Sequence, residues 1–223
     1  PPTVPGSAIV RALTVAAFVA AATAAWYGVV RPELRDAVNE PQIGDLLGPV
    51  FAVSPFLHRC AISELGFLKR MFEVGPETAL IGVFDEIKDE LSHETEAARL
   101  MTRLRILRRR VALLVALADV FGMWPLERIT HVLSQFADGA VSTTISHLLR
   151  LAAAKGDVTL WDEYFPEDNC GFFMLAMGKY GARELNYSSD IDLIAIFDPE
   201  KVRDTGKSYP PKIFTNLVRQ LIY

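Results

Sequence analysis

Apolar residues recur at steps of three and four through most of this 223-residue chain, then give way past residue 155 to two short continuous apolar runs. The clearest helical stripe is Leu100, Leu104, Leu107, Val111, Leu114, Ala118 and Phe121, which Gly122 and Pro125 then stop. A second long helix is predicted over 126–154, with Ile129, Leu133, Phe136, Val141, Ile145, Leu148 and Leu149 inward and Gly156-Asp157 closing it. Upstream, residues 55–72 keep helical spacing. Pro76 suits the first turn of a helix that continues through Ala79, Leu80, Val83, Phe84, Ile87 and Leu91. Residues 32–49 lack periodicity and carry Asn39, Pro41 and Gly44, so they read as a connector with about one turn of helix. Residues 212–223 read as a helix.

The two apolar runs are Phe172-Phe173-Met174-Leu175-Ala176-Met177, bounded by Gly171 and Gly178, and residues 190–197, ended by Asp198-Pro199. Their length and flanking turn residues predict two buried strands joined by residues 178–189. The fold class is therefore α+β, a mostly helical region followed by the opening of an α/β domain. The divisions expected are an apolar helical segment of unassigned role over 1–36, a helical region over 37–155 and an incomplete α/β domain over 156–223. No internal repeat is visible.

Composition narrows this picture. At 51% hydrophobic and 22% charged the chain is globular. A net charge of −4 and a pI near 5.6 lack the basic footprint of nucleic-acid binding, so no nucleic-acid partner is expected and any polyanion contact is local. Cys60 and Cys170 stand far apart and outside any CxxC or Cys/His cluster, which fits a reducing cytoplasm rather than a disulfide framework or a structural zinc site. Residues 12–30 form an uncharged run of 19 between Arg11 and Arg31, about the length of a bilayer span. Alanine dominates it and Thr14, Thr23 and Gly28 interrupt it, so a buried or partner-facing helix is expected there rather than a membrane or signal segment. The chain opens at Pro1-Pro2 and closes inside an expected helix, and both ends are read as cuts through a longer protein.

The candidate chemistry lies in Ser189-Asp190-Ile191-Asp192-Leu193. Residues two apart on a strand share a face, so a strand over 190–197 sets Asp190 beside Asp192 and turns Ile191 and Leu193 into a core. Two carboxylates held that close repel unless a cation lies between them. Hard oxygen donors favour Mg2+, with Mn2+ as the alternative. Just upstream, Gly178 and Gly181 permit a close backbone approach to a ligand. Lys179 and Arg183 supply cations for phosphate oxygens.

The stretch from Met177 to Ile194, Met-Gly-Lys-Tyr-Gly-Ala-Arg-Glu-Leu-Asn-Tyr-Ser-Ser-Asp-Ile-Asp-Leu-Ile, closely resembles the signature of the glutamine synthetase adenylyltransferases, bifunctional enzymes of the nucleotidyltransferase superfamily. That family carries the signature twice, and the Glu184-Leu185-Asn186 form after a long helical region is similar to the N-terminal, adenylyl-removing copy. Weaker similarity reaches back through Ser54-Pro55-Phe56-Leu57 and the arginine-rich helix over 99–110, and residues 1–36 show none. The resemblance implies a nucleotidyltransferase fold for the α/β domain, with Asp190 and Asp192 as the metal-binding and catalytic pair. It places Gly178, Lys179, Arg183 and Ser189 in the nucleotide- and phosphate-binding signature, with Glu184 at another of its polar positions. It implies Mg2+ as cofactor, ATP, ADP and phosphate as substrates or products, glutamine synthetase as partner and a PII-type signalling protein as a further one. The implied reaction is phosphorolytic removal of AMP from a glutamine synthetase tyrosine, with the companion half adenylylating the same tyrosine from ATP to regulate nitrogen assimilation. A third carboxylate belongs on a later strand. Only 31 residues follow Asp192, and Asp198 and Asp204 lie too near, so the copy here is expected to be incomplete and inactive alone. The rival readings are another Mg2+-dependent nucleotidyltransferase and a noncatalytic, partner-binding regulatory module.

Other features read as structural. Gly206-Lys207-Ser208 imitates the end of a P-loop, but its first glycine would fall at Lys201 and Pro210-Pro211 obstructs the helix that must follow. The arginines at 99, 103, 105, 108, 109 and 110 suit a solvated helix face, with room for a phosphate or an acidic partner. His58, His93, His131 and His147 lack metal-ligand spacing. Ser188 and Ser189 lack the glycine-flanked turn of a nucleophile.

Overall fold

The structure, a computed structural model, describes residues 41–222. The expected apolar helix over 1–36 lies outside the described residues, as does the bilayer-length run over 12–30. Among the described residues no helix is long and apolar enough to cross a membrane. Compactness divides the chain into a unit ending at Gly75 and a unit from Pro76 onward.

Among the described residues the first unit has three helices, α1 (Pro41–Val53), α2 (Pro55–Ser63) and α3 (Leu65–Val74). The connector expected over 32–49 is thus corrected from residue 41, where a helix begins. Leu47, Val50 and Phe51 give it a buried stripe at steps of three and one. Pro41 occupies its first position, where a missing N–H costs nothing, although Pro49 leaves one helical bond unmade. The Ser54 hydroxyl caps α2 by accepting from the Leu57 N–H at 3.3 Å, and Pro55 follows it. The continuous helical spacing expected over 55–72 is broken at Glu64 (φ −120°, ψ 39°), which separates α2 from α3.

In the second unit α4 (Pro76–Asp85) runs into a wide turn, Glu86–Glu90, whose hydrogen bonds reach one residue further than in an α-helix, and a tight turn, Leu91–His93. Two long helices follow, α5 (Ala97–Val120) and α6 (Leu126–Ala154), close to their predicted limits. A short link joins them as a hairpin, with Gly122 at φ 63° and the Trp124 indole donating to Glu77 Oε1 at 2.5 Å. Leu107, Leu113, Leu114 and Leu117 of α5 are sealed from solvent, as are Ile129 and Leu149 of α6. Arg103 pairs with Glu86 and Glu90, and Arg110 with Glu86, so part of the arginine row is tied to the wide turn.

Among the described residues the strands are β1 (Phe172–Ala176) and β2 (Leu193–Phe197), antiparallel, with Phe172 opposite Phe197 and Ala176 opposite Leu193. Between them lies a one-turn helix, α7 (Gly178–Gly181), and α8 (Pro210–Ile222) closes the described chain. Phe214 of α8 stacks on Phe172 and Phe197, with ring centroids 5.0 and 5.3 Å apart, in a core shared with Ile145, Leu148 and Leu149 of α6. The change of sequence period at residue 155 therefore falls inside one packed unit. Glycine and lysine of the P-loop-like triplet sit in an irregular link, where Ser208 Oγ donates to Asp157 Oδ1 at 2.8 Å.

Two expectations for the strands need correction. First, they are not buried on both faces. Phe172, Met174, Leu193 and Phe197 meet the helices, while Phe173, Leu175, Ile194 and Ile196 stay 36 to 49% exposed, because helices cover only one side of the pair. Second, β2 begins at Leu193 rather than at 190. The last rung is the bond from the Met177 N–H to the Asp192 carbonyl, 2.9 Å. At Gly178 the partner chain turns away with φ 55°, leaving residues 190 and 191 no strand to pair with. Ile191 accordingly stays exposed instead of entering the core.

Candidate active site

The link over 178–192 is anchored on the long helices by its own polar groups. A side chain on Gly181 would collide with the Ala176 carbonyl, so only glycine lets α7 fold back against the end of β1. Tyr180 is buried and its hydroxyl donates to Asp138 Oδ1 of α6 at 2.9 Å. Arg183, in the left-handed region at φ 65°, places its guanidinium 2.6 Å from the other oxygen of Asp138. The Leu185 N–H donates to Ser134 Oγ at 3.3 Å, and that hydroxyl donates to the Thr130 carbonyl at 2.8 Å. Tyr187 brings its hydroxyl within 3.2 Å of the Val115 carbonyl and 3.1 Å of Asp119 Oδ2, both on α5. Burial is the main force holding both phenols well above their ordinary ionisation range. The bonds to Asp138 and Asp119 and the charge of those carboxylates add to it, and Arg183 opposes it at Tyr180. Both tyrosines thus act as neutral hydrogen-bond donors.

Beyond Tyr187 the pattern changes. Asn186 Oδ1 accepts from the Ser188 N–H at 3.1 Å and from the Ser189 hydroxyl at 2.7 Å, a local turn that delivers the chain to Asp190. Ser189, Asp190 and Asp192 line an open cleft of about 830 Å3, walled by apolar residues of α5, α6, the strands and α8. Both aspartates are exposed, and among the described residues neither carboxylate has an ion pair or hydrogen bond. Their donor chemistry suits a hard divalent cation. No group of three or more metal-ligating side chains gathers among the described residues, so the remaining oxygens of a six-coordinate ion would come from water, substrate or a further carboxylate.

The sequence-predicted residues divide in two. Ser189, Asp190 and Asp192 meet on the cleft. Gly178, Lys179 and Arg183 do not line it: Gly178 makes the turn out of β1, Lys179 is exposed on α7 and Arg183 is engaged with Asp138. Reading the sequence missed the anchoring roles of Tyr180, Tyr187, Asp138 and Asp119, and the presence of Arg108 on the cleft wall.

The sequence model of the glutamate-ammonia ligase adenylyltransferase family matches residues 44–223. The chain belongs to this family. A relative from Bradyrhizobium sp. (strain ORS 278) is 36% identical over 200 residues, covering 88% of this chain and 20% of the relative. One from Rhizobium meliloti (strain 1021) is 39% identical over 196 residues, or 82% and 19%. One from Brucella suis biovar 1 (strain 1330) is 36% identical over 186 residues, or 83% and 19%. Each relative is named a bifunctional glutamine synthetase adenylyltransferase/adenylyl-removing enzyme, and the chain spans about a fifth of their length. Family membership agrees with the resemblance carried by residues 177–194.

Proposed function

We propose that this chain contributes to an enzyme that removes AMP from a tyrosine of glutamine synthetase by phosphorolysis, and that the intact protein also adenylylates that tyrosine from ATP. The observation that carries the reading is the pair of unpartnered carboxylates, Asp190 and Asp192, presented to one cleft by a link whose preceding residues are anchored to two helices. The names of the relatives support it. In the proposed reaction an oxygen of inorganic phosphate attacks the phosphorus of the AMP-tyrosine diester. The new P–O bond makes ADP, the bond to the tyrosyl oxygen breaks, and that oxygen leaves with its electron pair and takes up a proton.

Asp190 and Asp192 would hold Mg2+, which supplies Lewis-acid stabilisation of charge on the transferring phosphoryl group when bound. Tyr180 and Tyr187 fix the link, and Asn186 with Ser189 shapes its last turn, so the backbone that leads to the two carboxylates is held at the cleft. Glutamine synthetase is the proposed macromolecular substrate, a PII-type signalling protein a further partner and the cytoplasm the compartment.

The test is Asp192→Asn in the full-length protein, assayed for phosphate-dependent ADP release from adenylylated glutamine synthetase. Release is expected to fall at least about a hundredfold, while adenylylation from ATP largely survives. Undiminished release would contradict the reading.

A further inference from the structure

The arginines of α5 do not share one fate. Arg99 sits 3.5 Å from Glu96, Arg103 pairs with Glu86 and Glu90, and Arg110 lies 3.3 Å from Glu86. Arg105 and Arg108 are exposed and, among the described residues, have no ion pair or hydrogen bond. Of these two, Arg108 lines the cleft that holds Asp190 and Asp192, and Arg105 does not. Among the described residues, the charged ones on the cleft are thus two carboxylates and one guanidinium, with no pairing between the two signs.

A guanidinium serving only as counter-ion to the aspartates would be engaged with one of them. This one keeps all its donors open on the wall of a cleft where, on the function proposed above, a cation-bound phosphoryl group is handled. Its planar fork matches two oxygens of one phosphate, a geometry that an ammonium does not reproduce. We propose that Arg108 is a phosphate-binding residue of this cleft, reached from the helical region rather than from the signature over 177–194. The shared chemistry is a phosphate oxygen pair, supplied either by the attacking inorganic phosphate or by the phosphates of the adenine nucleotide.

The proposal rests on the phosphorolytic reading, and the experiment separates the two. Full-length Arg108→Gln and Arg108→Lys are compared with Arg105→Ala and Asp192→Asn by steady-state kinetics of ADP release. The phosphate concentration is varied, and ADP serves as product inhibitor. Arg108→Gln is expected to raise the KM for phosphate roughly tenfold, the size of one lost charge-assisted contact, with a smaller change in kcat. Arg108→Lys should recover part of that loss, and Arg105→Ala should match wild type. A weakened ADP inhibition constant with an unchanged phosphate KM also supports the assignment and gives the contact to the nucleotide. If both constants stay at wild-type values in Arg108→Gln while Asp192→Asn remains dead, Arg108 binds no phosphate and the reaction assignment stands. If Asp192→Asn releases ADP normally, the reading beneath the proposal fails and the proposal falls with it.

Discussion

Residues 178–187 and residues 189–192 are successive parts of one link between the same two strands, yet they use their polar groups in opposite ways. The first part commits four of them to the scaffold, Tyr180 and Arg183 to Asp138, the Leu185 N–H to Ser134 and Tyr187 to Asp119, and leaves Lys179 and Glu184 exposed. The second part leaves both of its carboxylates unengaged on the cleft. The difference separates residues that position from residues that can act, within a signature that the sequence presents as a single block.

The largest structural effect expected from breaking the first part is at Gly181. Gly181→Ala forces a methyl group into the Ala176 carbonyl, and the resulting overpacking should cost about 1–3 kcal/mol and lower ADP release by displacing α7. Equal thermal stability and equal turnover would mean that the link is not held against β1. Next comes Tyr180→Phe, which removes the bond to Asp138 and should cost about 1 kcal/mol in denaturant titration, since the half-exposed carboxylate can turn to water.

The raised phenol pKa values give a pH prediction of similar or smaller size. The folded state holds Tyr180 and Tyr187 protonated beyond the ordinary value of 10, whereas the unfolded chain releases those protons near it. Their contribution is complete below that value and is lost as pH rises above it. The melting temperature of wild type should therefore drop more steeply as pH rises above about 10 than that of a Tyr180→Phe/Tyr187→Phe variant. The smallest effect is expected from Arg183→Gln. Its pair with Asp138 is half exposed, so stability should change by less than about 1 kcal/mol and the phosphate KM should not move. A tenfold rise in that KM would transfer Arg183 from the positioning group to the acting one.

The sequence made much of this legible, for identifiable reasons. The stripe from Leu100 to Phe121 and its glycine and proline stops placed α5 to within three residues at its start and one at its end, because a buried helix face repeats locally and needs no partner to be recognised. Asp190 and Asp192 stood out as a pair through their spacing, but the strand expected to set them on one face begins only at Leu193, and what joins them is the cleft that both line. The start of β2 was not legible: it depends on where the opposite chain turns away at Gly178, a fact of pairing rather than of local propensity. The helix at Pro41–Val53 was hidden by Asn39, Pro41 and Gly44, which read as connector until Leu47, Val50 and Phe51 are seen buried together. The jobs of Tyr180 and Arg183 were illegible for the same reason as Arg108. Each depends on a residue more than 40 positions away, Asp138 in the first two cases and the 189–192 segment in the third.

The central claim, that the unengaged carboxylates of residues 189–192 hold divalent cation while the anchored residues before them do not, is tested most directly by Mn2+ titration of the full-length protein, followed by electron paramagnetic resonance. The Asp190→Asn/Asp192→Asn variant should bind fewer Mn2+ ions than wild type, and Arg183→Gln should bind the same number. An unchanged Mn2+ stoichiometry in the double aspartate variant would contradict the account.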